Sequence, residues 1–223
     1  VGGFVNSGLQ WPGAGQSADL ILPGPAGDLE AMLSVPKNDL RGVAVICHPH
    51  PQFGGAMSNK VVYTLAAAAL DAGLASLRFN FRGVGRSQGS YDHTHGETRD
   101  CVAAAQWLQA QQPQLELLLA GFSFGAYVSL KASAALKPKN LITVAPPFGR
   151  YFEDEQLPDH PACPWLVIHS RDDDTVPFAQ TRQSLAQYDP EPEMHAVDGA
   201  GHFFHGRLAD VRGAATAFLQ SHW

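Results

Sequence analysis

The sequence predicts an α/β fold: a mostly parallel sheet of about eight strands, helices on both faces and an antiparallel N-terminal edge. Three observations carry this. From residue 43 onward, short apolar runs alternate with longer Ala- and Leu-rich stretches. Those runs are continuous rather than alternating, as in strands covered on both faces. The connections are short, which suits βαβ units with right-handed crossovers. No internal repeat or second core is visible, and the 223-residue chain suits one domain, placed at 18–223.

Taken in order, Val1–Ser17 is Gly-rich, lacks an initiator Met and is expected to be a flexible N-terminal segment. Asp19–Leu22 and Leu29–Val35 flank a Pro/Gly-rich turn, Pro23 to Asp28, and read as a hairpin. Val43–Cys47 reads as a buried strand. Asn59–Ala72 reads as a helix stopped by Gly73. Leu74–Phe79 is a strand and Glu97–Gln111 a helix stopped near Pro113. Leu115–Leu119 is a strand and Phe124–Leu136 a helix. Leu141–Ala145 and Trp165–His169 are strands, followed by a helix at Phe178–Tyr188, a strand at Glu193–Val197 and a helix at Leu208–Leu219. The longest irregular stretch is Pro146 to Pro164, and loops of that length inside a compact domain are often functional.

Composition excludes several classes. A net charge of −6 argues against a nucleic-acid partner. The three cysteines, Cys47, Cys101 and Cys163, form no C-x-x-C pair and no disulfide framework. No apolar run approaches the ~20 residues of a membrane helix. No secretory leader pattern opens the chain, so the cytoplasm is the default address.

The run Gly121-Phe122-Ser123-Phe124-Gly125 sits between a strand and a helix. That context gives G-x-S-x-G its meaning: a sharp turn that lifts the Ser Oγ above the sheet, with no room for side chains two residues either side. Without the flanking elements the run would be an incidental glycine turn. A serine hydroxyl needs a base, usually a histidine oriented by a carboxylate. In this context the chain order should be serine, acid, histidine.

Candidates exist in that order. After Trp165–His169 come Asp172, Asp173 and Asp174. Asp174 suits a turn or cap, and spacing does not separate Asp172 from Asp173. Of the later histidines, His195 lies within a strand and His222 at the chain end. His202 sits in the Gly-rich loop Asp198–Gly201 before the last helix and is preferred as base over His205. Two backbone N–H groups should bind a developing oxyanion. Phe124, after the serine, supplies one. The loop His48-Pro-His-Pro-Gln-Phe-Gly-Gly55 supplies the other, with His50 first and Gln52 or Phe53 as alternatives, because Pro49 and Pro51 have no N–H. His48 and His50 could instead be a metal pair, but no third ligand stands nearby.

These pieces together resemble the small, lidless bacterial serine α/β-hydrolases related to dienelactone hydrolases and carboxylesterases. The matching stretches are the His48–Gly55 loop, Phe79-Asn-Phe-Arg-Gly-Val-Gly-Arg-Ser-Gln-Gly89, Gly121–Ala126, Asp173-x-x-Val176 and Gly201–Phe204. The resemblance covers nearly the whole chain, from about Asp19 to the end, and only as a set are the stretches specific. The resemblance implies the α/β-hydrolase fold, and its Asp-x-x-Val pattern selects Asp173 over Asp172. It also supports Ser123 and His202. Two departures stand out. Ser123 replaces the cysteine of dienelactone hydrolases proper, and Pro146–Pro164 is too short for a cap domain.

The expected reaction is hydrolysis of short or medium acyl esters through an acyl-enzyme, with no cofactor and no metal. Gln52, Phe53, Phe122 and Phe148 are candidates to line the substrate site. A thioesterase, a lactonase or a peptidase could use the same groups. A nicotinamide-dependent oxidoreductase is weighed on Gly83-Val-Gly85-Arg-Ser-Gln-Gly89, but no helix opens on those glycines as that fingerprint requires. His93, His95 and Glu97 read as a solvated loop rather than a metal site. Arg82 and Arg86 are expected to pair with Glu97 or Asp100 there. A non-catalytic binding protein on the same scaffold would be expected to lack one of the three groups. The partner expected is a small-molecule ester, with no nucleic acid or membrane, acting on a monomer or homodimer.

Overall fold

The computed structural model describes residues 11–149 and 157–223. Strands β1 (Ser17–Gly24), β2 (Gly27–Ser34), β3 (Gly42–Cys47), β4 (Leu74–Phe79), β5 (Glu116–Phe122), β6 (Asn140–Val144), β7 (Trp165–Ser170) and β8 (Glu193–Val197) alternate with helices after β3. The helices are α1 (Lys60–Asp71), α2 (His95–Gln111), α3 (Phe124–Leu136), α4 (Phe178–Leu185) and α5 (Leu208–His222). Among the described residues the strands form one eight-stranded sheet, ordered β1-β2-β4-β3-β5-β6-β7-β8. β1, β2 and β4 pair antiparallel, and the rest of the sheet is parallel.

The strand sequences explain the layering. In a strand, successive side chains point to opposite faces. Val43, Val45 and Cys47 of β3 therefore join one core with α2, α3 and α4, while Ala44 and Ile46 join the other with α1 and α5. Every residue of β3, β4, β6 and β7 is buried. Each such Val, Leu or Ile contributes about 1.5–3 kcal/mol by leaving water. β3, β5, β6 and β7 run parallel, so their C-terminal ends share one edge of the sheet. In open parallel sheets that edge is where ligands bind.

Several boundaries differ from the sequence expectation. The opening hairpin is longer than expected, because Gly27, at φ +115°, permits a two-residue turn at Pro25-Ala26. α2 begins at His95, two residues early: the Glu97 side chain accepts from the Thr94 N–H, closing a capping box. α5 runs on through His222, whose Nδ1 lies 3.0 Å from the Phe218 carbonyl. The segment expected to be flexible, 1–17, lies partly outside the described residues. Its described part is held instead: Gly15 N–H reaches the Val35 and Pro36 carbonyls, and Ser17 already belongs to β1. β6 ends at Val144 and β7 begins at Trp165, and among the described residues no cap domain lies between them. Among the described residues no helix is long and apolar enough to cross a membrane.

Candidate active site

The turn between β5 and α3 is built around Ser123, whose backbone sits at φ +53°, ψ −121°. Such a conformation costs on the order of 1–3 kcal/mol and persists only where the surroundings enforce it. Here Ser123 N–H donates to the Val144 carbonyl at 2.8 Å, and the Ser123 carbonyl accepts from Ala126 N–H at 2.8 Å. The glycines have a steric reason. A Cβ on Gly121 would lie 2.2 Å from the Gly125 carbonyl oxygen. A Cβ on Gly125 would lie 2.4 Å from the carbonyl oxygens of both Cys47 and His48. The second approach presses the start of α3 against the end of β3.

A hydrogen-bonded chain starts at Ser123 Oγ. His202 Nε2 lies 3.1 Å from it, and His202 Nδ1 lies 2.8 Å from Asp173 Oδ2. The imidazole is held between the rings of Phe122 and Phe203, with centroids at 5.0 and 5.1 Å. Asp173 Oδ1 accepts from Thr175 N–H at 2.9 Å and Val176 N–H at 2.7 Å. Burial alone would raise the Asp173 carboxyl, but hydrogen bonds from His169, His202 and Val176 outweigh it and hold the group well below the usual carboxylate range.

Asp173 thus fills the turn role expected of Asp174. Among the described residues, the Asp174 side chain accepts only from Thr175 Oγ1, at 3.3 Å. The physical reason is that Asp173 points back over its own turn, where two backbone amides converge.

Two neighbours of this chain escaped the sequence reading. His169, fully buried at the end of β7, places Nε2 2.9 Å from the Val176 carbonyl and 3.5 Å from Asp173 Oδ2. A histidine four residues before the acid was the available signal, but a strand-end histidine looks like ordinary core. Asp172, weighed above only as a rival acid, points instead toward the loop that carries His202.

The candidate oxyanion donors lie in the loop after β3 and at the start of α3. Phe124 follows Ser123 directly and is the first residue of α3. The amides of the two alternatives, Gln52 and Phe53, are spent inside the 3₁₀ turn Pro51–Phe53. Gln52 N–H donates to His50 Nδ1 and Phe53 N–H to the His50 carbonyl. His50 stacks at 4.9 Å from the Phe124 ring, and its Nε2 lies 3.2 Å from Tyr91 Oη. Beneath it, His48 Nδ1–H donates to the Pro49 carbonyl at 2.6 Å and its Nε2 accepts from Phe81 N–H at 3.0 Å. Burial pushes this imidazole down to about 4. Both histidines of the suspected metal pair are therefore committed to other bonds.

The flanking loop after β4 is fixed by ion pairs. Arg82 grips Asp100 with Nε at 2.9 Å and Nη2 at 2.7 Å, and Arg86 pairs with Glu30 rather than Glu97 or Asp100. Glu97 is buried and accepts from Asp92 and Thr94 N–H. The glycine turn at 83–89 is thus a brace on β2 and β4, not an opening to a helix.

The proposed pocket residues divide. Phe53 is 73% exposed, and Gln52 is exposed beside it. Phe122 and Phe148 are 0% and 2% exposed and offer no surface to a ligand. Phe122 lies under His202, and Phe148 packs between Tyr127 and Tyr188. Their place beside the site is taken by Phe203, 49% exposed, and by Tyr91. A residue alternation that buries the one phenylalanine and exposes its neighbour depends on strand and loop direction, which the sequence alone did not resolve.

Fold and site together define a serine hydrolase of the α/β type without a lid. A family model described as X-Pro dipeptidyl-peptidase (S15 family) matches residues 27–156, and the chain belongs to that family. The protein RP471 of Rickettsia prowazekii (strain Madrid E) is 32% identical over 209 residues, covering 90% of this chain and 87% of its own length. XC6422 of Xanthomonas campestris, an α/β serine hydrolase without lid, is similar at 43% identity and a TM-score of 0.86, with 95% of this chain and 96% of that one covered. An α/β serine hydrolase homologue from Coxiella burnetii is similar at 42% identity and a TM-score of 0.84, covering 93% and 99%. A dienelactone hydrolase from Anabaena variabilis shares the fold at 19% identity and a TM-score of 0.78, covering 93% and 98%.

Proposed function

We propose that this hydrolase cleaves carboxylic esters of short or medium acyl chains through an acyl-enzyme on Ser123. The observation that carries the reading is the continuous chain from Ser123 Oγ through His202 to Asp173. Ser123 Oγ attacks the ester carbonyl while His202 Nε2 takes its proton. The amides of Phe124 and His50 bind the oxyanion. His202 returns the proton to the leaving alkoxide, and the alcohol departs. Water then attacks the acyl group, His202 again takes the proton, and Ser123 is released with the acid product. Asp173 stays ionised throughout, orienting the imidazole and stabilising the imidazolium.

The exposed rings of Phe53 and Phe203, with Tyr91 beside His50, favour substrates with an apolar or aryl group next to the scissile bond. The reading is tested with a fluorophosphonate probe and a p-nitrophenyl ester chain-length series. Wild-type protein is expected to label once, and Ser123→Ala not at all. His202→Ala is expected to lose roughly three orders of magnitude or more in kcat. Labelling that survives Ser123→Ala places the nucleophile elsewhere.

A second reading follows from the description of the family, whose name specifies release of X-Pro dipeptides. It uses the same three residues. Hydrolysis of X-Pro p-nitroanilides faster than of any p-nitrophenyl ester would select it. Thioester and lactone panels distinguish the remaining acyl classes.

A further inference from the structure

We infer that Asp172 is a positioning residue for the base: it clamps the backbone that delivers His202 to Ser123. This rests on the triad reading above. The loop between β8 and α5 must swing His202 over the sheet edge, and it does so through an unusual run of left-handed backbone. Gly199, Gly201, Phe204 and Gly206 have φ of +66°, +58°, +53° and +71°. Three of these are glycines with no wall around them: a Cβ on Gly199, Gly201 or Gly206 would meet nothing within 4 Å. Packing therefore does not fix the glycine positions themselves, where the backbone has the widest freedom of any residue, although Ala200 and Phe204 between them are buried in the core.

The backbone just before His202 is held by hydrogen bonding. Asp172 Oδ1 accepts from Ala200 N–H at 3.2 Å, and Oδ2 accepts from Gly201 N–H at 3.3 Å. These are the two amides immediately before His202. The carboxylate is itself aimed by Ser170 Oγ–H, which donates to Oδ1 at 2.7 Å. The start of the loop has separate ties: Arg207 Nη1 donates to the Asp198 carbonyl at 2.8 Å, and Arg171 Nε lies 3.3 Å from Asp198 Oδ1.

The adjacent acids therefore divide one task between them. Asp173 sets the direction of the imidazole ring, and Asp172 sets the position of the backbone from which the ring hangs. Because they are consecutive on one turn, both reference His202 to the same end of β7. Displacing a reacting group by about 1 Å can cost roughly 10²-fold in rate, so an exposed carboxylate here has leverage over chemistry it never touches.

The experiment measures labelling of Ser123 by graded fluorophosphonate probe. It separates the maximal inactivation rate from the concentration giving half of it. His202→Ala serves as the reference for a lost base, and thermal melting is followed in parallel. Asp172→Ala is expected to lower the maximal rate roughly 10- to 100-fold, with the half-saturating concentration and the melting midpoint near wild type. Asp172→Asn keeps an acceptor oxygen but not the charge and should fall between the two. With an ester substrate the same pattern appears as a fall in kcat at unchanged KM.

Labelling of Asp172→Ala at the wild-type rate, with His202→Ala slow, overturns the clamp and leaves the triad reading standing. Wild-type protein that does not label, or His202→Ala that labels as fast as wild type, overturns the triad reading and the clamp with it. A rate loss that merely follows a collapse of the melting midpoint in both variants also overturns the clamp. Should Asp172→Ala fail to fold, Asp172→Asn carries the same comparison.

Discussion

Single side chains at the site do more than one job each, and this governs which substitutions are informative. Asp173 binds His202 with one oxygen and closes its own turn with the other. Asp173→Asn keeps the turn acceptor but presents an amide to His202 that cannot stabilise the imidazolium. A loss of roughly 10⁴-fold in kcat is expected, with the fold retained. Steady-state kinetics alongside circular dichroism checks it. The order serine, acid, histidine along the chain was enough to nominate Ser123 and His202 and to narrow the acid to Asp172 or Asp173, and the resemblance selected Asp173; Ser123, His202 and Asp173 lie in one hydrogen-bonded chain. Spacing could not separate Asp172 from Asp173, because neighbouring residues of a turn point in directions set by backbone torsions rather than by order. His169 went unseen for a related reason: what distinguishes it is a contact with Asp173, made only once the turn folds back.

Among the secondary-structure elements, the strands were legible because their burial is written in composition. Continuous Val, Ile, Leu and Ala runs need two covering layers, and β3, β5, β6 and β7 have them. Ends were less legible. The start of α2 depends on Thr94 and Glu97 reaching each other, and the loop before it on Arg82 meeting Asp100. The glycines of the two functional loops also differ in a way the sequence conceals. Gly121 is packed, so Gly121→Ala forces backbone apart and is expected to destabilise by more than about 3 kcal/mol. Gly201 has open space but a left-handed φ, so Gly201→Ala should cost only about 1–2 kcal/mol. Urea unfolding of the two variants tests the ranking, and equal losses would contradict it.

At the scale of the whole molecule, the parallel run β4-β3-β5-β6-β7-β8 brings the ends of β3, β5, β7 and the loop after β8 to one edge of the sheet. Parallel topology was legible from the βαβ alternation. The packing of the edge loops against one another was not, since it is made by residues far apart in sequence, such as His48 with Phe81 and Glu30 with Arg86.

The His48 cross-link carries a thermodynamic consequence. Folded, its imidazole takes a proton only near pH 4, whereas in the unfolded chain it does so near the ordinary value of 6.5. Between those two values the unfolded state binds the extra proton, so acidification draws the equilibrium toward unfolding, by an amount on the order of 3 kcal/mol at the lower limit. Below pH 4 both states are protonated and this contribution stops changing. Asp173, whose carboxyl is depressed, adds its own loss only in stronger acid. The unfolding free energy of the wild type is therefore expected to fall from about pH 6.5 to 4 more steeply than that of His48→Asn, measured by urea titration at each pH. Parallel slopes would contradict this. The imidazole that ties the loop after β3 to the end of β4 is thus also an acid-sensitive brace: mild acid takes stability from the fold at that cross-link.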